Sequence, residues 1–195
     1  MIDCYGDIRP LYLKRCGEIL AGLEAPVVLK TDGWNESRLD LIPSGAGPII
    51  GEFPLVKQWV CVERDPERAE TVRRMFSTDH TEVVTGMLQT VDFPARTFDA
   101  ILCLGTLNHM GFDSARTVLQ SFEWWLKDTG RLYLAVWLTN RPSVERDSEN
   151  ADERIYHNVE QFERELWETG FDVQGREEIL RENHSQMLVG YKCGV

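Results

Sequence analysis

The sequence is short of the features that define several large protein classes. Its five cysteines (Cys4, Cys16, Cys61, Cys103 and Cys193) are odd in number and never form a C-x-x-C pair. That argues against a disulfide framework and against a structural zinc site, which need evenly counted or clustered ligands. Small buried thiols in a reducing compartment are expected instead. The histidines His80, His109, His157 and His184 show no H-x-x-x-H spacing, so no metal is expected. No apolar run approaches the roughly 20 residues that cross a bilayer. Met1-Ile2-Asp3-Cys4 has neither the basic start nor the apolar centre of a secretory signal. The expectation is a cytoplasmic protein with no membrane partner. Basic residues are also the minority, 21 Lys and Arg against 32 Asp and Glu, for a net charge of -11. Proteins that track phosphates need clustered cations to displace counterions, so a nucleic acid is not the expected partner.

What is present reads as one domain over residues 1–195, with 43% apolar residues and no low-complexity segment. Tyr12, Cys16, Ile19, Leu20 and Leu23 recur at helical spacing, predicting a helix from about Arg9 to Leu23. A short strand follows at Val27-Val28-Leu29. The breakers between Ser37 and Pro54 argue against a long helix there. Trp59–Val62 reads as a buried strand, and Asp65-Pro66 starts a helix with a capping acid and Pro at its first position. Strands are predicted at Glu82–Thr85, at the nearly continuous apolar run Phe98–Leu104, and at Arg131–Leu138. The helix carrying Ala115, Val118, Leu119, Phe122 and Leu126 takes Asp113 or Ser114 as its cap and Gly130 as a left-handed exit. Asn158 and Gln161 form a capping-box variant before a helix ending at Gly170. Two last strands, near Asp172–Leu180 and Gln186–Cys193, lie close enough to form a hairpin. The acidic stretch Asn140–Asn158 reads as a loop or lid. Strands alternating with helices specify an α/β fold: a single doubly wound, mostly parallel, seven-stranded Rossmann-like sheet with a C-terminal antiparallel hairpin.

Ligands of such sheets bind beyond the carboxyl ends of the strands, where the strand order reverses. Val62-Glu63-Arg64-Asp65-Pro66 places a carboxylate at one such end, suited to accept hydrogen bonds from the hydroxyls of a ribose. Three stretches, Val62–Glu67, Phe93–His109 and Leu126–Leu134, together resemble class I S-adenosylmethionine-dependent methyltransferases in order and spacing. The resemblance implies that Glu63 holds the ribose of S-adenosylmethionine, with Arg64 beside it. It places Gly86, Met87 and Leu88 at the adenine, with apolar packing and backbone where the family commonly has an Asp. Leu104, Gly105 and Thr106 fall beside the methionine part and the sulfonium. The first strand departs from the family: Lys30-Thr31-Asp32-Gly33 stands where an acid and a Gly-x-Gly turn are usual. There Thr31 and Asp32 would meet the carboxylate and ammonium of the cofactor.

For the transfer itself, His109 reads either as a general base or as a structural histidine bonded to a loop carbonyl, with Asn108 as an orienting or substrate-binding partner. A small molecule is the expected acceptor, with a peptide or protein next. A rival reading is a non-catalytic domain that keeps the fold and acts as a binding or assembly partner. The oligomeric state is left open.

Overall fold

Seven consecutive residues without a breaker, Phe98-Asp-Ala-Ile-Leu-Cys-Leu104, form the middle strand of the sheet, and six of them are no more than 1% exposed. Burial on both faces is what a near-continuous apolar run specifies. The computed structural model describes residues 4–32, 52–75, 80–141, 145–147, 154–181 and 184–195. Among these the elements are α1 (Cys4–Leu20), β1 (Val27–Asp32), β2 (Gln58–Glu63), α2 (Pro66–Met75), β3 (Thr81–Thr85), β4 (Phe98–Leu104), a 3-10 turn (Thr106–His109), α3 (Phe112–Trp125), β5 (Leu126–Thr139), β6 (Glu145–Asp147), β7 (Arg154–Asn158), α4 (Val159–Glu168), β8 (Asp172–Arg181) and β9 (Gln186–Gly194).

β3, β2, β1, β4 and β5 pair in that order and in parallel. β9 runs antiparallel along β5 from Arg131 to Thr139, and β8 pairs antiparallel with β9 on its outer side. These are the seven strands and the terminal hairpin that the sequence predicts. The sheet is wound on both faces. Tyr12, Cys16 and Ile19 of α1 cover Val28, Leu102, Leu104 and Tyr133 on one side. Val118, Phe122 and Trp125 of α3, with Phe162 and Leu166 of α4, cover Leu29, Ile101, Leu134 and Val136 on the other. Cys16, Cys61, Cys103 and Cys193 are buried, and none of them is in a disulfide. No helix among the described residues is long and apolar enough to cross a membrane.

Three local expectations change. The stretch expected as a loop over Asn140–Asn158 contains a ribbon of β6 and β7, and β7 joins the end of β5 in parallel through Leu138↔His157 and Thr139↔Asn158. Since β4 stops opposite Ala135, β7 extends the sheet above the carboxyl end of β4. The cap of α3 is Gly111, with no side-chain cap bond, so Asp113 lies in the first turn and Ser114 beyond the cap. Gly130 is not a left-handed exit: α3 ends at Trp125 against an extended Leu126, and the left-handed glycines among the described residues are Gly22, Gly105 and Gly170. What Gly130 provides is clearance, because a Cβ there would lie 2.7 Å from the Lys127 carbonyl oxygen.

Candidate active site

The parallel register brings the carboxyl ends of β1, β2, β3 and β4 to one edge: Asp32 is level with Leu104, and Glu63 with Thr85. The strand order reverses between β1 and β4, so this edge is where a doubly wound sheet offers a crevice. Glu63 ends β2 half-buried, and its Oε1 accepts the backbone N–H of Asp65 at 2.9 Å. Burial pushes its carboxyl up from the ordinary range, against the backbone N–H of Asp65, which favours the ionised form. Asp65 turns the chain away by capping α2, its Oδ1 accepting the N–H of Glu67 at 2.8 Å and of Arg68 at 3.1 Å. Arg64 between them is exposed.

Beside Glu63 the chain leaves β3 through Gly86, whose N–H donates to the Glu63 carbonyl at 2.9 Å. Leu88 is 5% exposed and belongs to the core, whereas the Met87 side chain is 53% exposed. An apolar wall with backbone groups thus stands next to the carboxylate, with no side-chain acid at Met87.

On β1, Lys30 and Thr31 are both buried, at 1% and 2% exposure. Side chains alternate along a strand, so Lys30, in phase with Val28, faces α1, and Thr31 faces the other layer. There the Thr106 hydroxyl lies 3.2 Å from the Thr31 hydroxyl, tying the end of β1 to the turn after β4. The sequence resemblance already sets Thr106 at this strand end; only the β1–β4 register reveals its contact with Thr31. Asp32 is placed as the last residue of β1, and Gly33 lies outside the described residues, as do the other residues to 51.

After β4, Gly105 takes φ 74°, a conformation that costs little only for glycine, and its N–H donates to the Ala135 carbonyl at 2.7 Å. This fold-back starts the Thr106–His109 turn. Asn108 is 1% exposed, and its carboxamide is committed to backbone: Nδ2 donates to the carbonyls of Trp137 (2.8 Å) and Ile155 (2.6 Å), and Oδ1 accepts the Trp137 N–H (2.8 Å). The amide therefore staples the turn to β5 and β7. His109 closes the turn, half-buried. Tyr156 and His157 of β7 are buried at 2% and 0% exposure. Tyr156 packs edge-on to Trp137, and the His157 ring nitrogen Nε2 lies 2.9 Å from the Leu107 carbonyl. No group of His, Cys, Asp and Glu among the described residues is arranged to hold a metal ion.

The sequence comparison finds a methyltransferase domain family whose profile matches residues 42–134, just under half of the chain. No curated protein matches. Solved structures match over nearly all of it. A 1,6-didemethyltoxoflavin-N1-methyltransferase of Burkholderia thailandensis, solved with 1,6-didemethyltoxoflavin and S-adenosylhomocysteine, shares 20% identity at a TM-score of 0.69, over 98% of this chain and 80% of that one. The N-methyltransferase NodS of Bradyrhizobium japonicum, solved with S-adenosylhomocysteine, shares 14% at 0.66, over 95% and 86%. The [4+2]-cyclase SpnF shares 11% at 0.72, over 93% and 78%. At such identities the likeness is one of fold. In sequence over residues 42–134, and in fold over most of its length, the chain is similar to methyltransferases.

Proposed function

We propose that the protein is an S-adenosylmethionine-dependent methyltransferase acting on a small molecule. The observation that carries this reading is the half-buried Glu63 carboxylate at the end of β2, beside the reversal of strand order. A carboxylate raised by burial gains most from new donors, and a pair of ribose hydroxyls supplies them. The surroundings fit the rest of the cofactor. Leu88 with the backbone at Gly86 and Met87 offers the apolar flank and amide groups that an adenine needs. Thr31 and Thr106 present hydroxyls where the methionine part would lie, with Leu104 and Gly105 beneath and Asp32 at the strand end. When bound, the cofactor supplies an electrophilic methyl group on sulfonium sulfur. The chain's own tasks are to orient the acceptor in line, exclude water and hold a proton that the acceptor releases. His109, on the turn after β4, is the candidate for the proton, and Asn108 fixes that turn without touching the acceptor.

A small acceptor is supported by the structural neighbour solved with 1,6-didemethyltoxoflavin bound. The strongly acidic charge favours neutral or cationic acceptors over nucleic acid.

Calorimetry with S-adenosylhomocysteine tests the reading. Binding is expected, and Glu63→Ala is expected to weaken it roughly tenfold or more, the loss of charge-assisted hydrogen bonds worth about 1.5–3 kcal/mol. A folded protein that binds neither S-adenosylhomocysteine nor S-adenosylmethionine overturns it. The non-catalytic alternative differs in its outcome: the cofactor binds, yet no labelled methyl group passes to any member of a panel of small amines, phenols and thiols.

A further inference from the structure

His157 is fully buried, on a strand that the sequence does not announce, one hydrogen bond away from the candidate transfer turn. Its Nε2 lies 2.9 Å from the Leu107 carbonyl oxygen. A carbonyl only accepts, so Nε2 carries the proton and Nδ1 is bare in the neutral ring. Nδ1 is buried with no hydrogen-bond partner among the described residues. The ring stacks on Phe162 of α4 at 5.9 Å and meets Phe112 of α3 edge-on at 6.0 Å. In the parallel register its neighbour on β5 is Leu138. The charged groups nearest this apolar box are already paired with each other. Arg116 of α3 lies 5.5 Å over the Phe112 ring and bonds Glu165 of α4 through Nε and Nη2, each at 2.8 Å. The turn itself carries a further titratable group, His109, and Tyr191 packs against Phe162. A second proton on Nδ1 would find no acceptor there. Burial accordingly lowers the tendency of the ring to protonate, with the Leu107 carbonyl acting in the opposite sense.

We infer that His157 is a positioning residue of the transfer site: in its neutral form it pins the Thr106–His109 turn to β7, and so sets Thr106 and His109 against the cofactor crevice. The inference rests on the proposed methyltransferase reading and extends it to a residue outside the crevice. Asn108 staples the same turn to β5 and β7, so the two side chains clamp it from consecutive residues, Leu107 and Asn108. Asn108 does not titrate, and His157 does. The sign follows from the buried neutral ring. The unfolded chain takes up a proton near the ordinary value of 6.5, whereas the folded ring resists it. The contribution of the pin is therefore complete above that value and is lost as the pH falls through the lowered one.

The test uses two variants. His157→Gln keeps an N–H within reach of the Leu107 carbonyl and does not titrate, whereas His157→Phe fills the space without a donor. S-adenosylhomocysteine affinity is measured by calorimetry between about pH 5 and pH 8, the range in which histidine charge changes. The wild type is expected to lose affinity roughly tenfold toward the acid end, and His157→Gln to lose much less. His157→Phe should be weak at every pH. Wild-type affinity in His157→Phe, or an acid loss in His157→Gln equal to that of the wild type, overturns the inference. Should His157→Phe not fold, the pH profile of His157→Gln alone decides. A wild type that binds no S-adenosylhomocysteine at any pH defeats the methyltransferase reading instead. In that case the NMR titration midpoint of His109 in the free protein still reads the pin: a shift in His157→Phe with none in His157→Gln supports it, and no shift in either overturns it.

Discussion

Asn108 shows how far a residue's role depends on what surrounds it. Its place after an apolar strand suggests an orienting or substrate-binding group, yet all of its strong hydrogen-bonding directions meet backbone. Nothing in the local sequence indicates this, because its partners lie 29 and 47 residues away. Removing the carboxamide would strand an N–H and two carbonyls in a water-free interior, each at a cost of about 1–3 kcal/mol. Asn108→Ala is expected to lower the unfolding free energy by about 3 kcal/mol or more, read from urea denaturation. An effect below about 1 kcal/mol would mean that water replaces the amide. Glu63 is the opposite case. Its place was legible, because a carboxylate that ends an apolar strand stands out in the sequence itself.

At the scale of elements, the signals that held were those in which one side chain satisfies a neighbouring backbone group. Asp65 caps α2 and Asn158 caps α4, its Oδ1 accepting the Gln161 N–H at 3.0 Å. Asn158→Ala is expected to cost about 1 kcal/mol in urea, the usual worth of such a cap. Any excess reports the second bond, from Nδ2 to the Arg141 carbonyl at 2.9 Å, which ties the start of α4 to the chain leaving β5. The polar pair Asp113-Ser114 points to a later cap for α3, but the extended backbone at Gly111, ψ 162°, places the cap two residues before Asp113. β5 is longer than its apolar run, since Leu126 pairs with Phe98 before the regular register resumes at Arg131. β6 and β7 were missed for a related reason. Their stretch is polar, and its strand character comes from pairing with each other and with the end of β5.

For the whole molecule, the proposed ligand bridges segments that are distant in sequence, from Thr31 to Gly105, and it binds only the folded chain. S-adenosylhomocysteine at 100 times its Kd should therefore stabilise the protein by about 2.7 kcal/mol, which is about 5–10 °C in melting temperature for a domain of this size. Thermal denaturation checks this, and an unchanged midpoint at saturation would contradict binding at that edge. The sequence by itself determined the alternation of strands and helices, the two-faced burial of β4, two of the helix caps and the carboxylate at the end of β2. All of these depend on periodicity or on residues within a few positions of one another. Only the tertiary structure decided that Thr31 meets Thr106, that Asn108 and His157 clamp the turn before the crevice, and that a polar stretch supplies two strands. Those facts depend on register between distant strands, where one step along a chain turns a side chain from one face of the sheet to the other.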